Sequence, residues 1–405
     1  MKTPGMPEFG LGALAGLRVL DFSRVLAGPY CSMLLADMGA DVIKIESLSG
    51  DDTRQWGPPW QDGESAYYLS ANRNKRSLAL NLKHPKGQEI ARRLAKMADV
   101  IIENFKVGGM SNFGLDYESL STSHPGLIYC SLTGYGQTGP KRLQAGYDFI
   151  IQAEAGLMSI TGPVDGEPFK AGVAIVDVTA GLFASNAILA ALLHRNRTGE
   201  GQYIDVSLFD SQLGWLVNVA QNYLVQGVSP KRYGNAHANI VPYQTFQTKD
   251  GYLALAVGND KQYRELCHAA GCLDLWEDER FQTNPGRVAA REELIPLLQH
   301  VFLSRVTLAW LELLEPLGIP AGAINDIPTT IKDDQTLARG MIQEVAREDG
   351  QIVRLIGPVA KMSKTPACIR SAPPRLGEHT RLILSQELGF ETEEINALVQ
   401  EKVLA

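Results

Sequence analysis

LAGLRVLDFSRVLAGPYCSMLLADMGADVIKIE, residues Leu14–Glu46, holds a complete strand–helix–strand pattern. RVLDF (Arg18–Phe22) reads as a strand, Pro29–Met38 as a helix and DVIKI (Asp41–Ile45) as a second strand. The alternation continues downstream. SLALNL (Ser77–Leu82), VIIEN (Val100–Asn104), LIYCSL (Leu127–Leu132) and YIDVSL (Tyr203–Leu208) are further strand candidates, the last leading into a helix over Ser211–Val225. Pro85–Met97 reads as a helix, with proline in its first turn and Ile90, Leu94 and Met97 along one face. Strands alternating with helices predict an α/β fold built on a parallel sheet covered by helices.

The pattern changes near Gly227. YQTFQTKDGYLALAV (Tyr243–Val257) reads as a β-hairpin around Asp250-Gly251, a dipeptide suited to tight hairpin turns. Helices at Gln262–Ala270, Ala289–Phe302 and Leu308–Leu314 follow. Residues 228–325 are therefore expected to form a smaller α+β domain. It would sit between a large domain starting over residues 1–227 and a C-terminal segment, 326–405, that returns to it. That segment carries a second hairpin signal at Asp349-Gly350, within Glu344–Val359, and two final helices. A chain of 405 residues also exceeds the roughly 250–300 at which single cores stop growing.

Composition excludes several functions. Hydrophobic residues make up 45% and charged residues 20%, as in ordinary globular proteins, and the net charge of −7 argues against nucleic acid as a partner. The cysteines, at positions 31, 130, 267, 272 and 368, are odd in number and lack a CxxC pair. They fit neither a disulfide framework nor a zinc site, and no metal is expected. Reduced thiols suit a cytoplasmic setting, or a mitochondrial matrix in a eukaryote, although no presequence is evident. Met1–Gly10 contains Pro4 and Pro7 and no apolar core, so no signal peptide is read there. Ala171–Leu193 is apolar, yet it holds Asp177, Thr179, Ser185 and Asn186. A buried helix is expected there rather than a membrane span.

Four features bear on chemistry. Gly134-Tyr-Gly136-Gln-Thr-Gly139 matches GxGxxG, but Pro140 follows and no helix opens at the last glycine, so a turn after a strand is expected instead of a dinucleotide loop. Arg54, Arg73, Lys75 and Arg76 form a basic cluster that reads either as a solvated edge or as an anion-recognition site. In AGVAIVDVTAG (Ala171–Gly181), a strand-like Val173–Val176 leads to Asp177 and then to a helix over Ala180–His194. An ordinary helix cap is one reading of Asp177. The other is a partly desolvated nucleophile, kept ionised by the helix N-terminus, with nearby amides for an oxyanion. His237 stands in a Gly- and Asn-containing loop at the domain junction, where ligand sites often form.

Longer blocks resemble the class III CoA-transferases, the family of formyl-CoA and carnitine CoA-transferases. They are Leu14–Glu46, NKRSLALNLKHPKG (Asn74–Gly87), ADVIIENF (Ala98–Phe105), TGYGQTGP (Thr133–Pro140), HRNRTGEGQYIDVSLFD (His194–Asp210) and PPRLGEHT (Pro373–Thr380), covering nearly the whole chain in order. The resemblance implies a Rossmann-like large domain with a smaller domain, in an interlocked homodimer. It implies that Asp177 attacks an acyl-CoA thioester, passing through a mixed anhydride and an aspartyl-CoA thioester. It also implies that Val25, Leu80, Lys83, Asn104, Phe105 and Tyr147 lie beside CoA, which is a substrate and not a tightly bound cofactor.

Two departures refine that expectation. Leu26 stands where formyl-CoA transferase has glutamine, and the glycine-rich loop of that enzyme is not found, so formate and oxalate are not the implied acids. GDDTRQWGPPW, NRNKRS, AGYDF, GLMSITGP and GNAHANIVPYQ are similar to dicarboxylate-specific members. The implied reaction moves CoA from a donor such as succinyl-CoA to a four- to six-carbon dicarboxylate such as glutarate. Arg54, Arg73 and His237 are the candidates for the distal carboxylate. An acyl-CoA racemase of the same superfamily is the runner-up, although Tyr147 occupies the place of the histidine that racemases need. A CoA-binding protein without turnover is a third reading.

Overall fold

The computed structural model describes residues 12–405, so the reading of Met1–Gly10 lies outside the described residues. The chain divides into two units. The larger comprises the chain up to Ala155, Gly172–Trp215 and Asp334–Ala405; the smaller comprises Gly156–Ala171 and Leu216–Asp333. The smaller unit thus starts earlier than position 228, ends later than 325 and takes in a short detour at 156–171. No composition shift marks that detour, so periodicity along the chain did not reveal it.

The larger unit is built on six parallel strands: β1 (Arg18–Asp21), β2 (Asp41–Glu46), β3 (Lys75–Ala79), β4 (Val100–Glu103), β5 (Ile128–Thr133) and β6 (Gln202–Ser207). Their spatial order is β3-β2-β1-β4-β5-β6. The chain runs outward from β1 to β3 and then returns to lay β4 on the other side of β1. Val19 pairs with both Val42 and Val100, which fixes the register at that reversal. Side chains alternate between two cores, as the two-residue period of a strand requires. Leu20, Ile43, Leu78, Ile101 and Tyr129 face one, with helix α2 (Pro85–Ala95) and the two C-terminal helices. Val19, Val42, Val100, Ile102 and Cys130 face the other, with helix α1 (Ala27–Asp37).

On that second face α1 packs against α4 (Ile175–Thr198), whose buried stripe is Val176, Ala180, Ala184, Ile188 and Ala191. Two shorter helices join them: α3 (Asp148–Glu154) and α5 (Leu208–Gly214). The length and apolarity of α4 would suit a bilayer span, but its buried stripe makes it a core helix of this unit. Gly181 lets it approach α1: a Cβ there would lie 2.7 Å from the Ala27 carbonyl oxygen. Two local expectations fail. Val173–Val176 is not a strand, because the helix already begins at Ile175. Ser211–Val225 is not one helix; α5 ends at Gly214, and α6 (Val217–Gln226) starts anew in the smaller unit.

The smaller unit has an antiparallel sheet in the order β9-β8-β7, formed by β7 (Tyr243–Gln247), β8 (Tyr252–Ala256) and β9 (Ala321–Ala323). The hairpin turns at Asp250-Gly251 as the dipeptide implies, with the Thr248 N–H donating to the Gly251 carbonyl at 2.9 Å. Phe246, Tyr263, Phe302 and Trp310 fill its core. The Asp349-Gly350 hairpin, Ile342–Ala346 with Ile352–Ile356, belongs to the larger unit.

Candidate active site

In open α/β sheets a ligand crevice forms at the carboxyl ends of the strands, where the strand order reverses. A cavity of about 160 Å³ opens there, lined by the segments that follow β1, β4 and β5 (Arg24–Ala27, Asn104–Val107 and Leu132–Gly134), by Arg142–Tyr147, by Asp177 and by Leu208. The fold therefore brings together Asp177, Val25, Asn104, Phe105 and Tyr147.

The segment after β1 is held in an unusual shape. Val25 has φ +70°, a left-handed conformation that β-branched residues avoid and that persists only where surroundings enforce it. Asn104 clamps the preceding residue from both sides: its Oδ1 accepts the Arg24 N–H at 3.0 Å, and its Nδ2 donates to the Arg24 carbonyl at 2.7 Å. Asp51 Oδ1 accepts the Val25 N–H at 3.2 Å. Asp51 is itself anchored by the buried Lys44 ammonium at 2.9 Å. Burial alone would raise its carboxyl, but Lys44 and the Thr53 donors outweigh that and hold it down to about 2. A charged network beneath the sheet's edge thus fixes the loop from which α1 departs. On the opposite wall, Gly134 and Gly146 touch, since a Cβ on Gly134 would lie 2.7 Å from the Gly146 Cα. This contact holds the Ala145–Tyr147 segment against the end of β5.

Asp177 lies in the first turn of α4. It is not the helix cap: the N-cap is Ala174, with no capping side chain. Asp148, at the start of α3, serves instead, its Oδ2 accepting the Val176 N–H at 2.8 Å and the Asp177 N–H at 3.2 Å. The Asp177 carboxyl is 9% exposed and accepts no hydrogen bond among the described residues. Burial, followed by the nearby Asp148 carboxylate, pushes it up to about 7. Desolvation and a like charge thus oppose the ionised form that the helix N-terminus was expected to favour. Tyr67 faces the same pair, and its phenol is pushed up to about 12 by burial and then by Asp177 and Asp148.

Other expected site residues are placed elsewhere. The Leu80 side chain is enclosed in the core, and its N–H donates to the Glu46 carbonyl at 2.8 Å. Lys83 is exposed on the loop beyond β3 and does not line the cavity. Arg54 is neither a solvated edge nor an anion site. Its guanidinium is buried, bound to both oxygens of Glu46 (2.8 and 2.7 Å) and of Glu64 (2.8 and 2.9 Å), to the Tyr68 hydroxyl at 2.6 Å and to the Pro374 carbonyl at 3.2 Å. Arg73 is likewise buried, with Nε and Nη2 on Asp37 and Nη1 on the Ile356 carbonyl at 3.0 Å. The Arg54 donors are all engaged, and the Arg73 guanidinium is held by Asp37 away from the cavity lined by Asp177. His237 lies in the smaller unit, beside a separate cavity of about 310 Å³ that also touches Tyr233 and Asn239. Its Nδ1 accepts the Asn239 N–H at 3.0 Å.

The sequence reading missed Asp148, Tyr67 and the cations Arg24, Lys106 and Arg142 at the cavity's edge. Each adjoins or lies near a residue that was singled out, but only the fold turns those segments toward one cavity. As expected, Gly134–Gly139 forms a turn after β5 with no helix opening from it.

Comparison with known proteins shows the family. A family profile described as CoA-transferase family III matches residues 14–380. The chain is 46% identical over 387 residues to a succinyl-CoA:glutarate CoA-transferase from Mus musculus, covering 95% of this chain and 89% of that one. It is 48% identical over 385 residues to a succinate–glutarate CoA-transferase from Agrobacterium fabrum, covering 92% and 95%. A crystal structure of a CAIB/BAIF family protein from Brucella suis superimposes with a TM-score of 0.83 at 46% identity, covering 93% of this chain and 100% of that one. With a profile match over residues 14–380 and relatives 46% and 48% identical over most of both chains, the chain belongs to CoA-transferase family III and is an enzyme of that class.

Proposed function

We propose that this enzyme moves CoA from succinyl-CoA to a four- to six-carbon dicarboxylate such as glutarate, with Asp177 as the nucleophile. The observation that carries the reading is a buried carboxylate with no hydrogen-bond donor among the described residues, facing a cavity at the strand-order reversal. The choice of acids rests on the names of the relatives at 46% and 48% identity. In the first step an Asp177 oxygen attacks the thioester carbonyl; the C–S bond breaks, giving an aspartyl–succinyl anhydride and CoA thiolate. The thiolate attacks the aspartyl carbonyl, which expels succinate and leaves an aspartyl-CoA thioester. Glutarate then attacks that thioester to form a new anhydride, and the released thiolate attacks the glutaryl carbonyl, freeing Asp177. Each step exchanges one activated acyl group for another, so the transfer is split into displacements that can run in either direction. A carboxylate without donors is poorly solvated, so its nucleophilicity is not spent on hydrogen bonds.

Arg24, Lys106 and Arg142 border the cavity, and their charge complements the phosphates of CoA. Val25, Leu26, Asn104, Phe105 and Tyr147 are assigned to the pantetheine end of the ligand. Of the three side chains expected to bind the distal carboxylate, His237 is the one with room for a ligand beside it. Incubation with succinyl-CoA and glutarate is expected to yield glutaryl-CoA and succinate, with an adduct on Asp177 in the mass spectrum. A full panel of dicarboxylates giving no new thioester would sink the reading.

A homodimer, interlocked as in the family, belongs to the same proposal. Helix α6 has no buried residue, although it carries Val217, Tyr223, Leu224 and Val225. Leu182, Phe183 and Leu193 are exposed on α4. Apolar patches of this kind mark protein interfaces. Light scattering is expected to give twice the mass of one 44.2 kDa chain; a monomer at micromolar concentration refutes the dimer.

A further inference from the structure

The amides at a helix start attract carboxylates, and an aspartate in the first turn is well placed to bind them. In α4 that does not happen, because Asp148 is there first. Its Oδ2 holds the Val176 and Asp177 amides at 2.8 and 3.2 Å, and its other oxygen accepts the side-chain amide of the fully buried Gln152 one turn along α3. We propose that Asp148 is the positioning residue of the nucleophile: by occupying the amino end of α4 it denies those donors to Asp177, leaving that carboxylate unbonded and turned into the cavity. The proposal rests on Asp177 being the nucleophile.

The arrangement has two separable effects. As an acceptor, Asp148 keeps the two amides engaged. Without it they are free to draw the Asp177 carboxylate back onto the helix end, away from a thioester carbonyl. As a charge, it adds to burial in raising the Asp177 carboxyl. The titratable groups facing Asp177 are Asp148 on α3 and the Tyr67 phenol on the short helix Ala66–Ala71. Asp148→Asn removes the charge but keeps an acceptor oxygen, whereas Asp148→Ala removes both.

The test uses the full chain with succinyl-CoA, reading the rate of covalent labelling at Asp177, kcat and KM separately, the pH profile of kcat/KM and the melting temperature. Asp148→Asn is expected to melt like the wild type and to label Asp177, with the acid limb of kcat/KM moved about one pH unit lower. Asp148→Ala is expected to label Asp177 about 100-fold more slowly, a loss in kcat with KM within about threefold, as for a misplaced but intact reacting group. Wild-type labelling rates in Asp148→Ala, or an unmoved acid limb in Asp148→Asn, overturn the proposal. Should Asp148→Ala fail to fold, Asp148→Leu, which keeps the bulk but offers no acceptor to the Val176 and Asp177 amides, takes its place with the same outcomes. The underlying reading fails separately: if the wild type is never labelled at Asp177, the nucleophile is wrong, and the positioning role falls with it.

Discussion

Asp177→Asn is expected to abolish CoA exchange and, at the same time, to make the protein more stable above neutral pH. Burial first, and the Asp148 carboxylate second, lift this carboxyl from 3.8 to about 7. Between those two values the folded chain keeps a proton that the unfolded chain has released, so stability falls as pH rises through that window. Above it, the folded state bears an ionised carboxylate at a cost of about 4 kcal/mol, from about three pH units at 1.36 kcal/mol each. Asparagine has the same shape and no charge, and so avoids this cost. Urea titrations are expected to show a gain approaching that figure at pH 8.5 and almost none at pH 4. Exchange is expected to fall by at least about 10⁴-fold, as when a covalent nucleophile is removed. In the wild type the same ionisation makes kcat/KM fall as pH drops through about 7. A variant that keeps exchange activity, or that gains no stability at pH 8.5, contradicts this account.

Arg54→Ala is expected to destabilise the protein by about 3–5 kcal/mol, because truncating one member of a buried ion-pair network strands the others. Glu46 and Glu64 both depend on this guanidinium, at 2.7 and 2.8 Å, and Tyr68 stacks against it with its ring centroid 3.7 Å from Cζ. Glu46 in turn accepts the Ser77 hydroxyl at 2.7 Å on β3 and the Asp51 N–H at 3.0 Å. Asp51 holds the Val25 turn at the cavity. The damage is therefore expected to appear first as a lowered melting temperature and then as lost activity in whatever protein remains folded. The rival role, recognition of an acid substrate, makes the opposite forecast: an unchanged melting curve with a raised KM for the acceptor.

The α/β pattern was legible because it is local. RVLDF and DVIKI are short apolar runs, Pro85 opens a helix with one apolar face, and Asp250-Gly251 closes a hairpin; each signal lies within a few residues of the structure it specifies. Asp177, Val25, Asn104, Phe105 and Tyr147 were found through longer blocks of resemblance, and the fold gathers them at one cavity. Where local pattern and tertiary contact disagreed, contact won. Val173–Val176 has the composition of a strand, yet it enters a helix whose amides are capped by Asp148, 28 residues before Val176.

What the residues decided along the chain is most of the order of strands and helices and the position of one acidic side chain at a helix start. What only folding decided is the charge chemistry. Arg54 and Arg73 read as free cations until Glu46, Glu64 and Asp37 are brought against them, and Asp177 reads as a stabilised anion until burial and Asp148 reverse that. The reason is physical: secondary structure depends on neighbours a few bonds away, whereas the energy of a charge depends on solvent access and on partners tens or hundreds of residues distant.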